Sequence, residues 1–146
     1  MLVWAVAAGL YYLRTGTFPL PLPQFERDAL AHDLAELTVE GDVLFEYRST
    51  AIRPGGQDLL DEIAVLLVDH PDFEVFVDGH ADSSGNAVDN RALSQRRAEA
   101  VVAYLVEVGV PADQLTPRGF GDTRPRSDNL TDAGRTLNRR VEFTLQ

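Results

Sequence analysis

Apolar positions along the chain fall into two periodicities. Leu59, Leu60, Ile63, Leu66 and Leu67 recur at three- and four-residue steps and predict a helix over 57–69, closed by Pro71. Phe25, Leu30, Leu34 and Leu37 share a second helical face over 25–37. Residues 90–108 form the longest predicted helix, ended by Gly109 and followed by Pro111. Elsewhere the period is two. Phe73, Val75 and Val77 alternate through 73–79, and RVEFTL over 140–145 alternates cleanly, so both read as strands. VLFEY at 43–47 alternates in part and predicts a strand, after which Pro54-Gly55-Gly56 breaks the chain. LTPRG at 115–119 predicts a short edge strand, because Pro117 has no N–H to give a ladder. Thr131 is placed to cap a short helix reaching about Leu137. This order predicts an α/β (α+β) sandwich, β-α-β-α-β-(α)-β, with helices packed on a mixed sheet of about four strands.

The first thirteen residues, MLVWAVAAGLYYL, carry no charge, and Arg14 ends the run. As a helix they would reach about 20 Å, short of the roughly 30 Å hydrocarbon core. No basic stretch precedes them and no clear cleavage site follows, so they make a poor signal peptide. Residues 1–14 are either the remainder of a membrane anchor that begins upstream or a helix packed on the domain. Trp4, Tyr11 and Tyr12 near Arg14 suit a membrane interface and favour the anchor. TGTFPLPLPQ at 15–24 reads as an extended linker, which leaves 25–146 as the globular domain.

Composition narrows the chemistry. Of 146 residues none is Cys, which excludes disulfides, thiolate metal sites and a Cys nucleophile. All 13 basic residues are Arg, so a P-loop or Schiff-base Lys is excluded as well. Against 23 acidic residues the net charge is −10, and nucleic acid is not an expected partner. The charge is uneven: residues 24–90 hold 16 acidic residues against 3 Arg, a net of −13, while 115–146 hold 6 Arg against 4 acidic residues, a net of +2. Arg placed this way suits local recognition of a carboxylate or phosphate.

Arg97 is the residue out of place. Leu93, Val101 and Leu105 define a helical stripe, and the four-residue step between Leu93 and Val101 lands on Arg97. A guanidinium in a core position must be paired and hydrogen-bonded. Asp82, in the loop before this helix, is its expected partner. One reading is a structural Asp–Arg pair that pins loop to helix. The other is a small recess holding one cation and one anion, suited to a zwitterionic ligand, with N–H groups near Asn90 as further donors. Asp78, His80 and Asp82 at alternate positions form a weaker candidate metal set. No metal or cofactor is expected.

VDGHADSSGNAVDNRALSQRRAEAVVAYLVEVGV, then LTPRGFGDTRP, then NLTDAGRTLNRRVEF, resembles the OmpA-like peptidoglycan-binding domain family over about residues 40–146. That family includes the C-terminal domain of outer-membrane protein A, the peptidoglycan-associated lipoprotein and the flagellar stator protein B. The resemblance implies a non-catalytic module that binds the meso-diaminopimelate of cell-wall stem peptides. By position it implies Asp82, Asn90, Leu93, Arg97 and Arg139 as ligand-binding residues. Arg97 and Arg139 would hold the carboxylate and Asp82 the ammonium, with Asn90 completing the shell. Asn138, Arg140 and Gly134 are expected to be structural. Members often have an acid where this chain has Arg48, which puts a basic group near the recess edge.

The function expected is therefore extracytoplasmic tethering of a membrane-anchored protein to the cell wall. The alternatives are a load-anchoring domain of a stator-like or secretion machine and, more remotely, a cell-wall peptide hydrolase using Asp82 or His80. Expected partners are peptidoglycan, a membrane reached through the N-terminal segment, and a second copy of the chain in an optional homodimer.

Overall fold

Two helices cover one face of a four-stranded sheet in the computed structural model, which describes residues 37–146 other than Tyr47, together with Asp28, Ala29 and His32. The described fold belongs to one compact unit, Ala31–Gln146. The predicted apolar segment, the linker and most of the 25–37 helix lie outside the described residues, although Asp28, Ala29 and His32 are helical. Among the described residues no helix is long and apolar enough to cross a membrane.

The chain runs β1 (Thr38–Glu40), α1 (Gly41–Leu44), α2 (Pro54–Asp69), β2 (Val75–His80), α3 (Ala87–Glu107), β3 (Leu115–Gly121), α4 (Asp132–Asn138) and β4 (Arg140–Leu145). The sheet order is β1-β4-β2-β3. β2 and β3 are parallel across the α3 crossover, whereas β4 is antiparallel to both β1 and β2. This is the predicted mixed α/β sandwich, with β3 on the edge as Pro117 requires.

The first strand is corrected. Residues 43–46 form no strand: Gly41–Leu44 close one helical turn, with the Phe45 N–H donating to the Gly41 carbonyl at 2.8 Å, Phe45 makes an isolated bridge to Ile52, and the strand is Thr38–Glu40. Leu44 and Phe45 are both buried, so their apolarity reflects two consecutive core positions and not an alternating face. Pro54-Gly55-Gly56 is also not a break. Pro54 opens α2 from its first position, where a missing N–H costs nothing.

Val75 and Val77 of β2, Val141 and Phe143 of β4, Leu60, Ile63 and Leu67 of α2, and Ala98, Val101 and Leu105 of α3 make one apolar core. α3 approaches the sheet closely because glycines meet it. A Cβ at Gly79 would stand 2.2 Å from the Ser94 carbonyl oxygen, and one at Gly119 would stand 2.4 Å from the Gln95 amide nitrogen. The outer edge of β3 is closed by the same helix. Gln95 Oε1 accepts the Gly119 N–H at 2.7 Å, and Ser94 Oγ accepts the Gly121 N–H at 2.8 Å. An edge satisfied this way offers less to a foreign strand.

On the other sheet face Asp78 accepts two hydrogen bonds from Arg118, both at 2.6 Å. Glu142 lies 3.4 Å from His80 Nε2 and accepts from Arg140 Nε at 2.7 Å. His80 and then Arg140 draw its carboxyl down from 4.5 to about 2 against the opposing effect of burial.

Gly79→Ala should cost about 3 kcal/mol, because the methyl meets backbone that cannot yield. Gly55→Ala, with open space around the site, should stabilise by about 0.5–1 kcal/mol; urea denaturation of both variants checks the pair. The unfolded chain protonates Glu142 before the folded protein does, so this contribution is complete above about pH 4.5 and is lost as the pH falls toward 2. Glu142→Gln should therefore flatten the decline in urea midpoint between pH 4.5 and 2.

Candidate functional site

The predicted site residues come together at the carboxyl end of β2, where ligands of open α/β sheets bind. Asp82 lies just beyond this end, Asn90, Leu93 and Arg97 lie on α3, and Arg139 lies between α4 and β4. Asn86 starts α3, its Oδ1 accepting the N–H groups of Val88 at 2.8 Å and Asp89 at 3.4 Å, which orients the helix's first turns toward the loop. Asn90 Nδ2 then donates to the Asp82 carbonyl at 3.1 Å. Leu93 is half-buried one turn before Arg97.

Arg97 is in the core position that the stripe predicts, only 9% exposed. Its expected pairing with Asp82 is corrected. Arg97 Nε donates to the Ser49 carbonyl at 3.1 Å, and the guanidinium carbon sits 4.9 Å from the Phe45 ring centroid. Asp82 pairs instead with Arg139, NH1 to Oδ2 at 2.7 Å. The physical reason is topology: β4 lies beside β2, so the residue entering β4 reaches the β2 terminus. Among the described residues no carboxylate forms an ion pair with Arg97 and no other group accepts from it, so the two terminal nitrogens of its fork are uncommitted.

Arg139 gives four of its five N–H groups to hydrogen bonds. Its Nε and NH2 donate to Asp42 Oδ1 and Oδ2 at 3.2 and 2.7 Å, and NH2 donates again to Thr136 Oγ1 at 2.8 Å. Asp82 Oδ1 also accepts the Ser84 N–H at 2.8 Å. Asp42 was not legible in the sequence. It lies 97 residues from Arg139 in the chain, and the two meet because β1 pairs with β4 and the Gly41 N–H donates to the Arg139 carbonyl at 2.7 Å.

Electrostatics follow the contacts. Arg139's hydrogen bonds hold Asp42 below the ordinary carboxyl value, outweighing burial. Burial pushes Asp82 up, but hydrogen bonds from Arg139 and Ser84 together carry it below its ordinary value. Arg139 is raised, chiefly by Asp42 and less by Asp82. Burial pulls Arg97 down, while the charges of Asp42 and Asp82 oppose this. Both acids and both guanidiniums are thus ionised and close enough for their charges to act on one another.

The residues expected to be structural are packed as such. Asn138, fully buried, accepts the N–H groups of Arg126 and Ser127 and donates to the Ser127 carbonyl. Arg140 is tied to Glu142 and to the Asn138 and Arg124 carbonyls. A Cβ at Gly134 would stand 2.1 Å from the Asp128 carbonyl oxygen. The metal reading of Asp78, His80 and Asp82 finds no support: Asp78 is taken by Arg118 and Asp82 by Arg139. Among the described residues no group of His, Asp or Glu could hold a metal.

The OmpA family model matches residues 44–139. Outer membrane porin F of Pseudomonas fluorescens is 40% identical over 108 residues, which cover 74% of this chain and 33% of the porin. The chain spans about a third of the length of such curated relatives. Among solved structures, the peptidoglycan-associated lipoprotein from Burkholderia pseudomallei aligns with a TM-score of 0.69 at 31% identity, covering 77% of this chain and 92% of the lipoprotein. The cell wall anchor of the T6SS from Pseudomonas aeruginosa aligns with a TM-score of 0.68 at 33% identity, covering 86% of this chain and 96% of the anchor.

Arg139→Gln should destabilise the fold by about 2–3 kcal/mol at neutral pH, because it strands the buried Asp82 carboxylate; partial exposure of Arg139 keeps the loss below that of a fully buried pair. The native pair lowers both acids, so its contribution is present above about pH 3.8 and fades as the pH falls through their folded values. The gap between variant and parent should narrow below that pH, as urea midpoints at pH 7 and pH 3 will read.

Proposed function

The chain belongs to the OmpA family, and from that premise we propose that its globular domain, residues 25–146, binds peptidoglycan without catalysing a reaction on it and tethers a membrane-anchored protein to the cell wall. In this reading the protein is extracytoplasmic, with residues 1–14 reaching a membrane and 15–24 spacing the two. The ligand is the free amino-acid terminus of meso-diaminopimelate in a stem peptide.

One observation supports the reading: a buried guanidinium with uncommitted ends, Arg97, lies close enough to the ionised carboxylate of Asp82 for the two charges to interact, although they form no ion pair. A guanidinium fork accepts a carboxylate through two parallel hydrogen bonds, and a carboxylate accepts an ammonium. Those two ligand groups sit on one carbon in an amino-acid terminus. Asn90 holds Asp82's backbone, half-buried Leu93 lies one helical turn before Arg97, and Arg139 holds the Asp82 carboxylate. Arg139 therefore acts in the recess by holding the anion, while Arg97 receives the ligand carboxylate.

Asp82 held as an anion by Arg139 suits gripping a cation better than shuttling a proton, which disfavours the hydrolase reading. A load-anchoring role within a secretion machine is a second reading, supported by the likeness to the T6SS cell wall anchor.

Arg97→Ala and Asp82→Ala should each abolish binding to murein sacculi while the domain stays folded; binding equal to the parent's would overturn the assignment. In an NMR titration, replacing meso-diaminopimelate by lysine removes the terminal carboxylate and should weaken binding by at least about tenfold, the worth of a charged hydrogen bond. Muropeptides incubated with the protein should be recovered intact by mass spectrometry.

A further inference from the structure

We propose that Asp42 is a specificity-determining residue of the recess: by neutralising Arg139 it makes the site select a terminus bearing both ammonium and carboxylate over one bearing carboxylate alone. This rests on the reading of the recess as an amino-acid-terminus site and adds to it a residue outside the set the sequence nominated.

Four charged groups interact with one another here, Asp42, Asp82, Arg97 and Arg139, and their charges sum to zero. Four of the five N–H groups of Arg139 are already spent, on Asp42 twice, on Asp82 and on Thr136. Asp42 does not drift into this role. The Gly41 N–H is bound to the Arg139 carbonyl at 2.7 Å, and Arg53 NH1 donates to the Asp42 carbonyl at 3.0 Å. Yet the Asp42 side chain is 56% exposed, so its charge is open to solvent beside the Arg139 guanidinium.

A zwitterionic terminus enters this neutral site without changing its charge. A bare carboxylate leaves it at −1, opposed by both acids. Asp42→Asn replaces one of the two oxygens that accept from Arg139 by an NH2 group, so it frees one N–H group of Arg139, and it leaves the four-group cluster at +1, which favours the bare carboxylate. Asp42 thus works by exclusion as much as by attraction.

The test uses the whole chain and two probes, a diaminopimelate-containing tripeptide with its terminal amine free and the same peptide N-acetylated at that amine. Isothermal titration of the parent and of Asp42→Asn gives the ratio of dissociation constants. The parent should prefer the free amine, and the variant should lose roughly three- to fivefold of that preference, the reach of a half-exposed charge pair. In the parent alone, raising ionic strength from about 0.05 M to about 0.5 M should erode the preference through screening. This second readout stands even if the variant folds poorly. A parent that binds the free-amine peptide, with a ratio unmoved by both substitution and salt, overturns this inference and leaves the peptidoglycan reading standing. A parent that binds neither peptide overturns both.

Discussion

Arg139 ties together three parts of the chain that strand pairing brings side by side. It follows α4, its side chain reaches Asp82 beyond β2, and its second edge is filled by Asp42 from the turn after β1. Each partner depends on the others. Asp82 is buried and would be costly to hold as an anion without the guanidinium, and Arg139 could not be aimed without the carboxylates on its two sides. Fixing Asp82 toward Arg139 leaves Arg97, among the described residues, with a carbonyl and an aromatic ring as its partners.

The clamp works only because the layers beneath it are close. Gly79 and Gly119 let α3 settle onto the sheet at distances a methyl group would forbid, with Ser94 and Gln95 against them. Asn86 starts the helix at the right turn, and Asn90 binds the loop back to it. Packing in the core and polarity at the rim are therefore one construction: the helix face that buries Val101 and Leu105 also carries Arg97.

The comparison of pattern with structure is uneven along the chain for physical reasons. β4 and α3 were legible because alternation and a long apolar stripe each have one explanation. The first strand was misplaced because Leu44 and Phe45 are buried in succession around a helical turn, and such a run looks the same in a strand. In the site, Arg97 announced itself as a charge in a core position. Its supposed partner was chosen for nearness in sequence, and the sheet order overruled it.

What the amino-acid order determined alone is everything that depends on local spacing: the helical stripes, the alternating strands, the edge role of Pro117, the cap at Thr131 and a guanidinium among apolar neighbours. Pairings between distant charges belonged to the tertiary structure. Asp42 and Arg139 are separated by 97 positions, and no periodicity links them. They meet because strands pair side by side regardless of their separation in the chain, so which carboxylate neutralises which guanidinium is settled when the sheet closes.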